Sequence, residues 1–166
     1  MREKGLEIFR SGKMYSLAAR CLNGNAGISP TLLMPSMVNA ALCLELLFKS
    51  MYYALNETDF KVDGRYSHDF FEIYQSLPAD IRSNMSDTFD GLLSNRQMND
   101  VNILESQYGV VIARGLEDQI KLWSSVFVKM RYVYEGHKTS MMFFPEIEET
   151  ITRAILSLKP LWSSSP

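Results

Sequence analysis

The feature that most constrains this chain is a stretch that is apolar nearly all the way round a helix. From Ser36, whose hydroxyl can cap a helix, to about Asn56, the residues Val38, Ala41, Leu42, Leu44, Leu46, Leu47, Phe48, Met51, Tyr52 and Leu55 leave no wide polar face. Such a helix belongs in the middle of a bundle or in a bilayer. The most apolar window, Met37 to Leu55, holds Asn39, Glu45 and Lys49, and a spanning segment of about 20 residues tolerates charges poorly at its centre. The stretch therefore reads as the central helix of a bundle, with no membrane role. Within it Ala41, Glu45, Lys49 and Tyr52 form one row, and the glutamate precedes the lysine in the favourable order for an i, i+4 pair.

The rest of the chain supplies helices to surround it. Lys4 to Leu22 makes a first helix with Leu6, Phe9, Leu17, Ala18 and Cys21 apolar, weakened by Gly5 and Gly12. Asn23 to Pro35 reads as a loop, because Pro30 and Pro35 bar a continuous helix through Leu32, Leu33 and Met34. Asp59 to Tyr66 is a polar connection with an Asp63-Gly64 turn, after which Ser67 caps a short third helix, His68 to Ser76. Pro78 opens a fourth, with Ile81, Met85, Phe89, Leu92 and Leu93 on one face, whereas Ser94 to Asn102 has no clear period. A late helix starts between Ile103 and Leu116 and carries Leu116, Ile120, Trp123, Phe127 and Tyr134 on one face. Pro145 begins the last helix, with Ile147, Ile151, Ala154, Ile155 and Leu158 inward, and Pro160 ends it.

No segment alternates apolar and polar residues for long enough to make a strand. The expectation is an all-α fold, a single-domain helical bundle of about six helices over residues 1–162, with 163–166 a frayed tail. A chain of 166 residues that is 46% hydrophobic and 22% charged suffices for one substantial core.

Charge and composition exclude several function classes. With 17 basic and 19 acidic side chains, the net charge of -2 gives no general pull toward nucleic acid or an anionic membrane, so any nucleic-acid binding must be local. Cys21 and Cys43 sit in apolar helical contexts without metal spacing and read as reduced core residues of a cytoplasmic protein. Arg2, Glu3 and Lys4 do not open a signal peptide. Phosphate-binding glycine loops are absent, and the two histidines lack a carboxylate cluster at ligand spacing, so neither metal nor cofactor is expected.

The chemistry concentrates at the end of the late helix. Arg131 falls on the apolar face of that helix, where its permanent charge needs a partner, and Glu135 lies one turn on. Gly136 can end the helix in a left-handed conformation, which brings His137 back toward the arginine. Earlier, His68 and Asp69 open the third helix. An aspartate there favours the helix dipole, while for His68 two readings stay open, docking onto a carboxylate such as Glu45 or facing water.

Arg131, five residues and His137 at the end of a late helix resemble the Arg-(four to six residues)-His motif of HEPN domains, a family of nucleotide-binding helical bundles. Glu45, Leu46, Leu47, Phe48 and Lys49, then a linker, then His68, Asp69, Phe70 and Phe71, are similar to the second helix and third-helix start of that family. The two pieces together cover about two thirds of the chain. Tyr132 stands where catalytic members usually carry a small polar residue.

The resemblance implies two readings. In the first the chain is a homodimeric binding module for RNA, a nucleotide or a partner protein, with Arg131, Tyr132, Tyr134 and Glu135 forming a polar knot. In the alternative it is a metal-independent endoribonuclease of toxin or defence type, working in a cleft between two protomers. Arg131 would clamp the scissile phosphate and His137 would move the proton, since an imidazole titrates at about pH 6.5. The pairing of Arg131 with Glu135, Tyr132 after the arginine and the acidic balance favour the module; the histidine favours the nuclease. Met141, Met142 and Phe143, beside the motif and without an obvious internal use, suit a twofold interface.

Overall fold

A computed structural model describes residues 3–25, 29–93, 95–109, 111–124 and 145–164. Among them the chain forms seven α-helices: α1 (Lys4–Gly24), α2 (Leu33–Asn56), α3 (Phe70–Ser76), α4 (Ala79–Leu92), α5 (Asn95–Tyr108), α6 (Leu116–Ser124) and α7 (Glu146–Leu158). Two short strands, β1 (Lys61–Val62) and β2 (Arg65–Tyr66), pair antiparallel across the Asp63-Gly64 turn. Asp63 and Gly64 both take positive φ there, 49° and 76°, as a tight hairpin requires. The protein is an all-α helical bundle.

Helix α2 is its centre. It touches α1, α3, α6 and α7, and Leu44, Leu47, Phe48 and Met51 are completely buried. Burying side chains of this size contributes about 1.5 to 3 kcal/mol each. Its length and apolarity would suffice to cross a membrane, but half of its most apolar window is buried inside the bundle and the Glu45–Lys49 ion pair lies in its middle. Phe48 stacks on Phe70 with ring centroids 5.7 Å apart and meets Tyr74 edge-on at 6.2 Å, which fastens α3 to α2.

The two glycines that weaken α1 as an isolated helix are what let it approach α2. The face of α1 turned inward carries Gly5, Phe9, Gly12, Ser16 and Ala19. A Cβ on Gly12 would lie 3.1 Å from Leu47 Cδ2, and one on Gly5 would lie 2.9 Å from Trp162 Cη2. Ser50 Oγ donates to the Gly5 carbonyl at 2.9 Å, and Ser36 Oγ to the Ala19 carbonyl at 2.8 Å. Ser36 is thus a buried residue inside α2 rather than its cap. The helix starts earlier, at Leu33, because Pro35 falls in the first turn, where no intrahelical N–H is needed. A 3₁₀ turn, Pro30–Leu32, leads in.

Cys43 is buried, but Cys21 is exposed, which corrects its assignment to the core. Cys21 shares the outer side of α1 with Met14 and Leu17, both well exposed. Its apolar neighbours in sequence did not reveal which face turns inward.

Two further boundaries differ from expectation. The N-cap of α3 is Asp69, not Ser67, so His68 precedes the helix. Ser67 Oγ instead accepts from the Asp69 backbone N–H at 3.1 Å and donates to Glu72 Oε2 at 2.8 Å. Helix α5 occupies the stretch without a clear period. Only a sparse apolar row supports it, with Val101 completely buried, and Gly109 closes it at φ 62° by donating to the Glu105 carbonyl.

The described parts of the remaining stripes lie inward as the spacing implies, while Phe127 and Tyr134 of the late stripe lie outside the described residues. Met85 and Phe89 of α4, Leu116, Ile120 and Trp123 of α6, and Ile147, Ile151 and Ile155 of α7 all belong to the core. Pro160–Ser164 forms a 3₁₀ turn that takes in the first two residues of the expected tail.

Candidate functional site

Among the described residues, two buried carboxylates, Glu45 and Glu148, each gather a polar cluster inside the apolar bundle. The first joins α2 to the start of α3 and the end of α6. Glu45 is 4% exposed, and a carboxylate removed from water that far must be matched by donors. Lys49, one turn along α2, donates to Glu45 Oε1 at 2.6 Å. His68 Nδ1 meets the same oxygen at 2.9 Å. An ionised carboxylate only accepts, so Nδ1 carries the proton in that bond. His68 combines the two placements open to it: it docks onto Glu45 while its side chain stays 64% exposed.

Asp69 faces the other way, toward α6. Its Oδ1 accepts from the backbone N–H groups of Phe71 at 2.9 Å and Glu72 at 3.4 Å, the usual work of a capping aspartate. The Ser124 hydroxyl, from the last turn of α6, donates to the same Oδ1 and accepts from Phe71 N at 3.1 Å. Glu45, Lys49, His68 and Asp69 are thus gathered in one region of the bundle. Arg131, Tyr132, Tyr134, Glu135 and His137 lie outside the described residues, as do Met141, Met142 and Phe143.

The second cluster centres on Glu148, 3% exposed in the first turn of α7. Lys13 Nζ reaches Glu148 Oε1 at 2.6 Å, while Ser16 Oγ and an Arg20 terminal nitrogen reach Oε2 at 2.6 and 2.7 Å. All three donors come from successive turns of α1, so the carboxylate clamps α1 to α7. Burial pushes the Glu148 carboxyl up, but the hydrogen bonds from Lys13, Ser16 and Arg20 outweigh it and hold the group below the usual glutamate range. The bond to Glu148 in turn raises Arg20.

Beside this cluster lies a cavity of about 380 Å³. Leu33, Met37, Ala40 and Trp123 give it apolar walls, and Arg20 and Glu148 stand at its polar side. Cys43 also lines it, and burial together with the nearby Glu148 charge pushes its thiol up to about 12, so it is a neutral wall group.

Sequence reasoning did not single out Glu148, Lys13, Ser16 or Arg20. The legible signal was phase: Glu148 stands three and seven positions before Ile151 and Ile155, on the inward side of α7, although Glu146 and Glu149 around it look like an acidic, solvated first turn. Ser16 likewise falls in step with Phe9, Gly12 and Ala19. Among the described residues no group of three or more histidine, cysteine, aspartate or glutamate side chains is placed to hold a metal ion. No protein-family model, no curated protein and no solved structure matches this chain.

Proposed function

We propose that this chain is a HEPN-like helical bundle that acts in the cytoplasm as a homodimeric binding module for RNA, a nucleotide or a partner protein. The observation that carries the reading is how the ionisable groups of the resemblance are used. Glu45 is occupied by Lys49 and His68, and Asp69 by the α3 cap and Ser124. These groups organise the junction of α2, α3 and α6, and that is the work of a scaffold. Tyr132 and Glu135 flanking Arg131 in sequence, together with the net charge of -2, point the same way.

The alternative is a metal-independent endoribonuclease with Arg131 as phosphate clamp and His137 as acid or base. One contact favours it: the Ser124–Asp69 bond seats the helix whose apolar stripe leads on toward Arg131 against the His68–Asp69 segment.

One experiment separates the two. The purified protein is incubated with single-stranded and structured RNA in EDTA, with anisotropy of labelled RNA and sedimentation run in parallel. The module predicts a dimer, binding without cleavage, and the same behaviour in His137→Ala. Fragments ending in 2′,3′-cyclic phosphate that vanish in His137→Ala establish the nuclease. Cleavage unchanged in that variant moves the role to His68, the other histidine of the chain. A monomer at micromolar concentration that binds no RNA overturns the RNA-binding dimer.

A further inference from the structure

The cavity between α1, α2, α6 and α7 has the size and lining of a ligand site, and its charge pattern narrows the ligand. A volume of about 380 Å³ lies at the small end of the range of roughly 300 to 1,000 Å³ typical of small-molecule pockets. Leu33, Met37 and Ala40 and the Trp123 ring give an apolar wall, and of the polar lining the Ser16 and Ser36 hydroxyls already donate to Glu148 and the Ala19 carbonyl, which leaves Asn23 and Arg20. The polar side is not neutral. Lys13 and Arg20 bring two positive charges to Glu148, whose single negative charge is already matched by both cations and the Ser16 hydroxyl. Glu148 therefore has little to give a cationic ligand, and within this cluster the two cations outnumber the one carboxylate, while Glu149, whose charge also bears on Arg20, is paired with Arg153 at 2.8 Å.

That excess is available at Arg20. A guanidinium has several N–H donors, and among the described residues Arg20 spends one terminal nitrogen on Glu148 while the side chain stays 67% exposed. The Cys43 thiol, protonated across the physiological range, adds no opposing charge.

We propose that this cavity binds a small amphipathic monoanion, a carboxylate with a short aliphatic or aryl body, with the carboxylate on Arg20 and the body against Met37, Ala40 and Trp123. A nucleotide is the wrong chemistry here, because its base edges, sugar and phosphate charges need more donors and acceptors than Arg20 and Asn23, the polar lining not already engaged, can offer. The site stands apart from the RNA-binding reading and does not depend on it.

The test is calorimetric titration of the full chain with octanoate, octanol, octylammonium and adenosine monophosphate. Octanoate is expected to bind at least about tenfold more tightly than octanol, a margin of about 1.4 kcal/mol, and octylammonium and the nucleotide more weakly than either. Arg20→Gln should remove the preference of octanoate over octanol, and Arg20→Lys should restore part of it. Ala40→Leu, which fills the cavity without touching the ion cluster, should weaken octanoate and octanol together. The proposal is overturned if octanoate does not bind, binds no tighter than octanol or adenosine monophosphate, or keeps its affinity in a folded Ala40→Leu protein. Should Arg20→Gln fail to fold, the ligand series and Ala40→Leu still decide the matter.

Discussion

The Ser124 hydroxyl donates to Asp69 Oδ1, so the cap of α3 is completed by a residue 55 positions away in the chain. Phe71 N donates to both partners, at 2.9 Å to Asp69 Oδ1 and 3.1 Å to Ser124 Oγ. A seven-residue helix is too short to be stable alone, and this one holds its shape because its first turn is anchored to α6 and its Phe70 ring to α2. The start of α3 is thus a tertiary feature, while its sequence signature, a serine before His68, looks local.

Asp69→Ala should lower stability by about 1 to 2 kcal/mol, the usual cost of losing a capping side chain, and Ser124→Ala by about 1 kcal/mol. Because the two side chains share one hydrogen bond and one N–H partner, the double variant should lose less than the sum. Urea unfolding of the four proteins in the cycle measures this directly. Strict additivity would mean that the two groups do not act as a unit.

Glycine-to-alanine changes should split by location. In an exposed helix interior the substitution stabilises by about 0.5 to 1 kcal/mol. Gly91, in the last turn of α4, has nothing within 4 Å of an added Cβ, and Gly91→Ala should stabilise in the same direction by at most that amount. At Gly5 the new methyl would stand 2.9 Å from Trp162 and 3.0 Å from Tyr53, and at Gly12 3.1 Å from Leu47. There the strain of overpacking, about 1 to 3 kcal/mol, should outweigh propensity and both variants should lose stability. Thermal melts in which all three rise together would show that α1 can move off α2.

The thiols give a third check. Cys21 is exposed and Cys43 is buried with its thiol pushed up to about 12. In the folded protein at pH 8, a thiol reagent should label Cys21 quickly and Cys43 far more slowly, because Cys43 lies at the cavity wall with its thiol held protonated. Cys21→Ser should abolish the fast phase and leave the slow one. Two fast phases in wild type would place Cys43 within reach of solvent.

How much of this was legible depended on whether burial imposed a period. The stripes of α6 and α7, where Leu116, Ile120 and Trp123 or Ile147, Ile151 and Ile155 recur at helical spacing, read directly off the chain. The centrality of α2 read as easily, since so apolar a segment has few other places to go. Helix α5 did not, because among its described side chains Val101 alone is buried and the exposed ones follow no pattern. The Glu45–Lys49 pair was visible as an i, i+4 spacing within one helix. The Glu148 cluster was not, because its partners stand more than a hundred residues apart and only the fold brings α1 to α7. Charges close in sequence announce themselves, whereas charges close in space need the packing first.

That cluster carries the last prediction. Glu148 is buried and its cations are not, with the Lys13 and Arg20 side chains 37% and 67% exposed. Removing the carboxylate lets both cations turn to water, so Glu148→Gln should cost only about 1 to 3 kcal/mol. The double change Lys13→Met with Arg20→Gln strands a buried carboxylate on Ser16 alone and should cost more, about 3 to 5 kcal/mol. The pH dependence has a definite sign. The folded protein holds Glu148 below the ordinary glutamate range, so its stabilising contribution is complete above the unfolded value of about 4.3 and is lost as pH falls through the lower folded value. Urea midpoints of wild type and Glu148→Gln should therefore stand apart at pH 7 and converge as the solution is taken below about pH 4. A gap that stays constant or widens on acidification would show that Glu148 is not the ionised hub joining α1 to α7.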